Sequence, residues 1–153
     1  VMWRGVVLAA AALMTMVAGV EAAEVEVKML NQGAEGRMVF EPSFVKINPG
    51  DTVKFVATDK SHNAETIPGM LPEGAQAFKG EFNTDVSVTF DKDGVYGVKC
   101  LPHAGMGMVA LVAVGSSYPN LDAAKGVKQT GVAKKKFEAL FKKLDETKGA
   151  AAQ

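Results

Sequence analysis

Between Glu24 and Val114 the chain offers short runs of strand-forming residues, each cut off by a turn signal. The runs are Glu24 to Leu30, Met38 to Glu41, Phe44 to Ile47, Thr52 to Thr58, Val86 to Phe90, Val95 to Lys99 and Val109 to Val114. In the first, acid or Lys alternates with Val and Met, the two-residue period of a half-buried strand. The punctuation is Gln32-Gly33, Asn48-Pro49-Gly50-Asp51, Pro72-Glu73-Gly74 and Asp91-Lys92-Asp93-Gly94. Many short strands separated this way predict an all-β antiparallel sandwich or barrel. Residues Asp59 to Asn83 lack the period and are expected to hold loops that cross between sheets, with one short helical turn.

After Ser117 the period changes. Phe137, Leu140, Phe141 and Leu144 recur at helical spacing with Lys134, Lys135, Lys142 and Lys143 beside them, which predicts an amphipathic helix of about four turns packed on the body, its lysines a solvated face. A shorter helix is expected after Pro119-Asn120, ending at Gly126. At the other end, Arg4 is the lone charge before the uncharged run Gly5 to Val20, and Glu21-Ala22-Ala23 follows with small residues at a cleavage boundary. That is the pattern of a secretory signal, and the 16-residue apolar run is short for a span that needs about 20. The reading is therefore a signal peptide over 1–23, a β-sandwich over 24–115 and a helical extension over 116–153, exported and with no stable membrane association once the signal is removed.

Removing residues 1–23 leaves the charge balanced but unevenly spread. Glu24 to Asp122 carries thirteen acids against eight bases, and Lys125 to Lys148 eight lysines against three acids. No strongly basic domain is present, which argues against nucleic acid as a partner.

Cys100 is the sole cysteine, so no internal disulfide can form. It is an intermolecular partner, a buried passenger or a functional thiolate, and its neighbours decide which. It sits in Val95-Tyr96-Gly97-Val98-Lys99-Cys100-Leu101-Pro102-His103-Ala104-Gly105-Met106-Gly107-Met108, where a strand delivers Cys100, a Pro- and Gly-containing loop carries His103, and Met108 opens the next strand. The second histidine, His62, lies in the irregular stretch after the strand ending near Thr58. Taken singly, Cys100 reads as a small buried hydrophobe, His62 as a hydrogen-bonded core or surface histidine, and Met106 and Met108 as packing residues. Taken together, the lone cysteine and both histidines join Met108 in one donor set. Two imidazoles, a thiolate and a weak axial thioether are the ligands of blue copper. Thiolate and thioether suit Cu(I), imidazole serves both oxidation states, and a thioether argues against structural zinc. A trigonal site with a distant thioether is ideal for neither oxidation state, so little rearranges when an electron moves.

The spacing Cys100-x2-His103-x4-Met108 with an upstream His62-Asn63 resembles the cupredoxins of plastocyanin and pseudoazurin type. Met29-Leu30-Asn31-Gln32-Gly33-Ala34-Glu35-Gly36, Met38-Val39-Phe40-Glu41-Pro42 and Asn48-Pro49-Gly50-Asp51-Thr52-Val53 resemble the first strands of pseudoazurins, and the basic helices after Pro119 match their helical tail. The resemblance spans Glu24 to Lys148. It implies a Greek-key cupredoxin β-sandwich of about eight strands with two C-terminal α-helices, one type-1 copper ion, His62 as the buried imidazole and His103 as the ligand whose ring edge reaches the surface.

The resemblance further implies that Asn63 steadies the copper loops by hydrogen bonds and that Met38 lies beside the His103 ring. Pro102, Ala104, Gly105 and Met106 would form an apolar docking patch at this electron port, although Met106 by itself reads as a packing residue. Leu101 and Ala104 stand where pseudoazurins often carry Thr and Tyr, so Ala104 should leave the rim of His103 less covered. Lys60, Lys79 and Lys99 would ring the port and meet an acidic redox partner, such as a copper nitrite reductase in periplasmic denitrification. The implied protein is a monomeric periplasmic shuttle, not an enzyme. Multicopper enzymes need many more histidines than the two here, both already assigned. The alternative is a periplasmic copper-binding carrier protein, but Met29, Met38 and Met70 are scattered rather than clustered as such a carrier requires.

Overall fold

The computed structural model describes residues 19–151. Residues 1–18 of the expected signal peptide lie outside that range, and among the described residues no helix is long and apolar enough to cross a membrane. Eight strands follow: β1 (Glu24–Gly33), β2 (Gly36–Glu41), β3 (Phe44–Ile47), β4 (Asp51–Val56), β5 (Glu65–Thr66), β6 (Val86–Phe90), β7 (Gly94–Lys99) and β8 (Val109–Val114). Two helices, α1 (Leu121–Gly126) and α2 (Gly131–Ala151), come last among the described residues. The strands form two four-stranded sheets, ordered β2-β1-β4-β6 and β3-β8-β7-β5. The expected sandwich of about eight strands with two C-terminal helices is the architecture found.

Alternation along the strands decides what each sheet faces. Val27 and Met29 of β1, Val53 and Phe55 of β4 and Phe90 of β6 point into the sandwich, where they meet Tyr96 and Val98 of β7 and Ala110, Val112 and Val114 of β8. The intervening positions of β7 and β8, Val95, Val109, Leu111 and Ala113, face the other way and are covered by Phe137, Leu140, Phe141 and Leu144 of α2. Strand β8 is thus buried on both faces, which is why Val109 to Val114 reads as an unbroken apolar run. Gly97 on β7 fits the same outer layer because a Cβ there would stand 2.7 Å from the Met70 sulfur.

Three features depart from the sequence reading. The pairing is not wholly antiparallel: β1 with β4 and β3 with β8 run parallel. The chain leaves the first sheet after β2, lays β3 beside β8, then returns to set β4 beside β1, a crossover that no local period encodes. The segment Asp59 to Asn83 contains no helical turn; it contributes the two-residue β5, too short to show alternation. Helix α2 runs for 21 residues rather than four turns, because Ala133 extends the buried stripe before Phe137 without being bulky enough to mark it.

The helices are tied down by polar contacts as well as packing. Asn120 receives the Val95 N–H (2.9 Å) and donates to the Val95 carbonyl (2.7 Å), pinning the start of α1 to β7. Lys136 of α2 pairs with Glu35 at 3.4 Å, and Glu35 also accepts from the Ser43 hydroxyl (2.6 Å) and N–H (3.0 Å). Leu144 is fully buried whereas Lys135 is exposed. Leu144→Ala is expected to lower the stability of the metal-free protein by roughly 2–5 kcal/mol, and Lys135→Ala by less than about 0.5 kcal/mol, in urea denaturation followed by circular dichroism. Equal effects would contradict the packing of α2 on β8.

Candidate metal centre

Strand β7 ends at Lys99, and Cys100 continues in extended backbone before a 3-10 helix over Leu101–Met106. Pro102 lies in its first turn, where a missing N–H costs nothing. Gly107 then takes a left-handed conformation (φ 92) that reverses the chain into β8. The loop closes on itself: the Met108 N–H donates to the His103 carbonyl (3.1 Å) and the Cys100 N–H to the Met108 carbonyl (3.0 Å). His62 comes from the segment between β4 and β5. There Asn83 grips the chain on both sides, its Oδ1 accepting the Ser61 N–H at 2.6 Å and its N–H donating to the His62 carbonyl at 3.0 Å.

These two segments bring three donor atoms together. His62 Nδ1 and His103 Nδ1 are 3.1 Å apart, and Cys100 Sγ lies 3.7 Å from the first and 3.5 Å from the second. A circle through three points so spaced has a radius of about 2.0 Å, within the bond lengths of roughly 2.0–2.3 Å that imidazole and thiolate make to a first-row ion. An ion in this plane would be trigonal, so the residues fit copper with two nitrogens and one sulfur. The His62 Nε2–H donates to Asn31 Oδ1 at 2.8 Å, which leaves the Nδ1 lone pair facing the other donors.

His62, Cys100 and Met108 are fully buried, and His103 is half-buried. Burial pushes the Cys100 thiol up; the N–H groups of Asn63 and His103, which donate to it, oppose the shift, and the nearby Glu65 carboxylate adds to it. Burial, reinforced by His103, holds His62 below the ordinary histidine range. His62 therefore favours the neutral imidazole, the metal-binding form, and a bound cation would offset the burial that raises the Cys100 thiol.

Asn63 is fully buried and joins the two segments, its Oδ1 accepting the Leu101 N–H at 2.8 Å and its Nδ2 donating to Glu65 at 2.9 Å and to the Gly80 carbonyl at 3.3 Å. Met38 is half-buried against the cluster that contains Cys100 and Met108. Its φ of 49 is uncommon for a side chain of this size, and the β1–β2 register passes from Leu30–Val39 to Gln32–Arg37 without pairing Asn31 to Met38. That break in the ladder frees Asn31 to reach His62.

Around His103, Pro102 and Gly105 are exposed, Ala104 is half-buried, and Leu101 and Met106 are 46% and 49% exposed. Met106 is therefore not a packing residue: the 3-10 helix buries none of its side chains. Lys60 and Lys79 are exposed, whereas Lys99 is half-buried, with its Nζ 3.7 Å from Glu65 Oε1. Asn31 and Glu65 were not singled out in the sequence. Glu65 stands three positions after His62 in a stretch without a period, and Asn31 looks like one more polar residue of an alternating strand.

The geometry agrees with what the chain is similar to. The family model for copper binding proteins of the plastocyanin/azurin family matches residues 27–115. Pseudoazurin from Paracoccus pantotrophus is 53% identical over 131 residues, 86% of this chain and 90% of the relative. The crystal structure of pseudoazurin from Methylobacterium extorquens superposes with a TM-score of 0.77 at 52% identity, covering 79% of this chain and 98% of that one. Native pseudoazurin from Hyphomicrobium denitrificans gives 0.74 at 50% identity, covering 78% and 97%.

The raised, fully buried Cys100 thiol has a direct consequence. In the metal-free protein at pH 7, iodoacetamide should modify it more than about tenfold more slowly than a peptide thiol, and the rate should climb only as pH passes the ordinary thiol range. Mass spectrometry checks this, and labelling at the free-thiol rate at pH 7 would contradict the burial.

Proposed function

The chain belongs to the copper-binding plastocyanin/azurin family and, within it, to the pseudoazurins, so it is a blue-copper electron-transfer protein rather than an enzyme, and we propose that His62, Cys100, His103 and Met108 hold its one type-1 copper ion. The observation that carries the assignment is the triangle of His62 Nδ1, Cys100 Sγ and His103 Nδ1. Met108 supports it by position: its backbone is bonded to that of both Cys100 and His103, and its thioether is buried in the same cluster as the thiol.

Copper supplies the one-electron couple between Cu(II) and Cu(I). The chain's own residues do the rest. Asn31 and Asn63 fix the ligands so that neither oxidation state requires them to move. The sandwich excludes water from His62 and Cys100, and half-buried His103 gives the route to the surface. Leu101, Pro102, Ala104 and Met106 surround that route as a small apolar docking patch, and exposed Val132 at the start of α2 borders it, since a Cβ on Gly107 would stand 2.7 Å from the Val132 side chain. A shuttle must dock and leave quickly, which a small interface permits.

By the family resemblance Lys60, Lys79 and Lys99 border the port, and an acidic redox partner such as a copper nitrite reductase would fit them by charge. Lys99 contributes less, being paired with Glu65. Residues 1–23 serve as an export signal, 24–115 as the copper sandwich and 116–153 as its helical extension, so the monomer works in the periplasm. A carrier that hands copper to a recipient needs accessible donors, and full burial of His62, Cys100 and Met108 disfavours that reading.

Copper(II)-loaded protein should absorb intensely toward the red end of the visible range. Cys100→Ser should abolish the band and Met108→Leu should alter it; an unchanged band in either variant would remove that ligand. Lys79→Ala combined with Lys99→Ala should slow bimolecular electron transfer to an acidic partner by roughly tenfold near 0.01 M ionic strength, and much less at 1 M. Stopped-flow rates insensitive to the substitutions at low salt would remove the steering role.

A further inference from the structure

We propose that Glu65 is a positioning residue for the thiolate side of the metal centre: it sets the orientation of the Asn63 amide, and through it the chain that follows Cys100. The inference rests on the reading of Cys100 as a copper ligand and assigns a residue that reading does not use.

Glu65 opens β5 and is 8% exposed. Among the described residues it shares this degree of burial with one other carboxylate, Asp51, whose oxygens accept the Ala23 and Asn48 N–H groups in a turn remote from the site. The oxygens of Glu65 are directed at the ligand loop instead. Oε2 accepts from Asn63 Nδ2 at 2.9 Å, and Oε1 lies 3.7 Å from Lys99 Nζ. Strand register reinforces this, since Glu65 is the backbone partner of Lys99, the residue immediately before Cys100.

The consequence follows from the asymmetry of an amide. In the observed orientation Asn63 accepts the Leu101 N–H with Oδ1 and donates twice with Nδ2, to Glu65 and to Gly80. Reversed, it would set its oxygen against a carboxylate and a carbonyl, and its NH2 against the Leu101 N–H. A carboxylate accepts and does not donate, so Glu65 forbids the reversal more firmly than a hydroxyl or amide in its place would. Leu101 follows Cys100 and Lys99 precedes it, and the Asn63 N–H donates to the sulfur itself. Asn63 thus holds the chain just after Cys100 through Leu101 and meets the Cys100 sulfur itself, and Glu65 fixes which way the Asn63 amide faces. Stability alone gives weak reason for an acid here, because a buried ion pair offers little net stabilisation over apolar packing.

The test compares Glu65→Gln, which keeps an acceptor of the same reach without the charge, with Glu65→Leu, which keeps neither; Glu65→Ala replaces the latter if the leucine variant does not fold. Hydrogen exchange of the Leu101 amide in the metal-free protein should accelerate about tenfold in the apolar variant and by clearly less in Glu65→Gln. In the copper(II) form the thiolate charge-transfer band and the electron paramagnetic hyperfine splitting should shift in the apolar variant and stay near wild type in Glu65→Gln. Lys99→Met, which removes the ion pair alone, should leave both readouts unchanged. The proposal is overturned if the apolar variant matches wild type in Leu101 exchange, or if Glu65→Gln or Lys99→Met moves both readouts as far as the apolar variant does. Leu101 exchange is read without metal, so it judges Glu65 separately from the ligand assignment, which fails instead if wild-type protein never acquires the band.

Discussion

The 2.8 Å hydrogen bond from the Leu101 N–H to Asn63 Oδ1 joins chain segments 38 residues apart, one carrying His62 and the other Cys100 and His103. A buried imidazole, a half-buried one and a buried thiol facing each other would otherwise relax away from one another. Burial disfavours charge on both Cys100 and His62, so their own electrostatics supply no attraction that would draw them into register. The work falls to fixed neighbours: Asn63 between the loops, Asn31 behind His62, Asn83 on either side of it, and the closed backbone circuit from Cys100 to Met108. A centre held this way is organised before any ion arrives, and that suits a redox site.

The rest of the fold serves the same end. Strands β7 and β8 deliver Cys100 and receive Met108, and they form the layer clamped from both sides, by the sandwich core on one face and by α2 on the other. The start of α2 also meets the ligand loop, with Val132 against Gly107, and a Cβ on Gly131 would stand 3.8 Å from the Gly105 carbonyl. The helical extension is therefore part of the scaffold of the site. Movement of the loop would have to break contacts with two layers.

Much of this was legible in the sequence because it is local. Alternation locates the half-buried strands, and the spacing from Cys100 through His103 to Met108 declares a donor set whatever the surrounding fold. What was not legible depends on pairing across distance. The parallel neighbours β1–β4 and β3–β8 arise from a crossover between sheets, and β5 has two residues, too few to carry a period. Glu65 and Lys99 are ordinary charged residues until strand register sets them side by side. Met106 reads as apolar packing until the 3-10 helix is seen to bury nothing. Asn31 gains its role from a break in a hairpin ladder beside Met38, a residue whose left-handed backbone no composition rule anticipates.

X-ray absorption at the copper edge, recorded on the loaded protein in both oxidation states, tests the central claim most directly. The account predicts two nitrogens and one short sulfur bonded to copper, with nearly the same distances before and after reduction. A first shell of nitrogen and oxygen alone, or a shell that loses a donor or lengthens markedly on reduction, would contradict it.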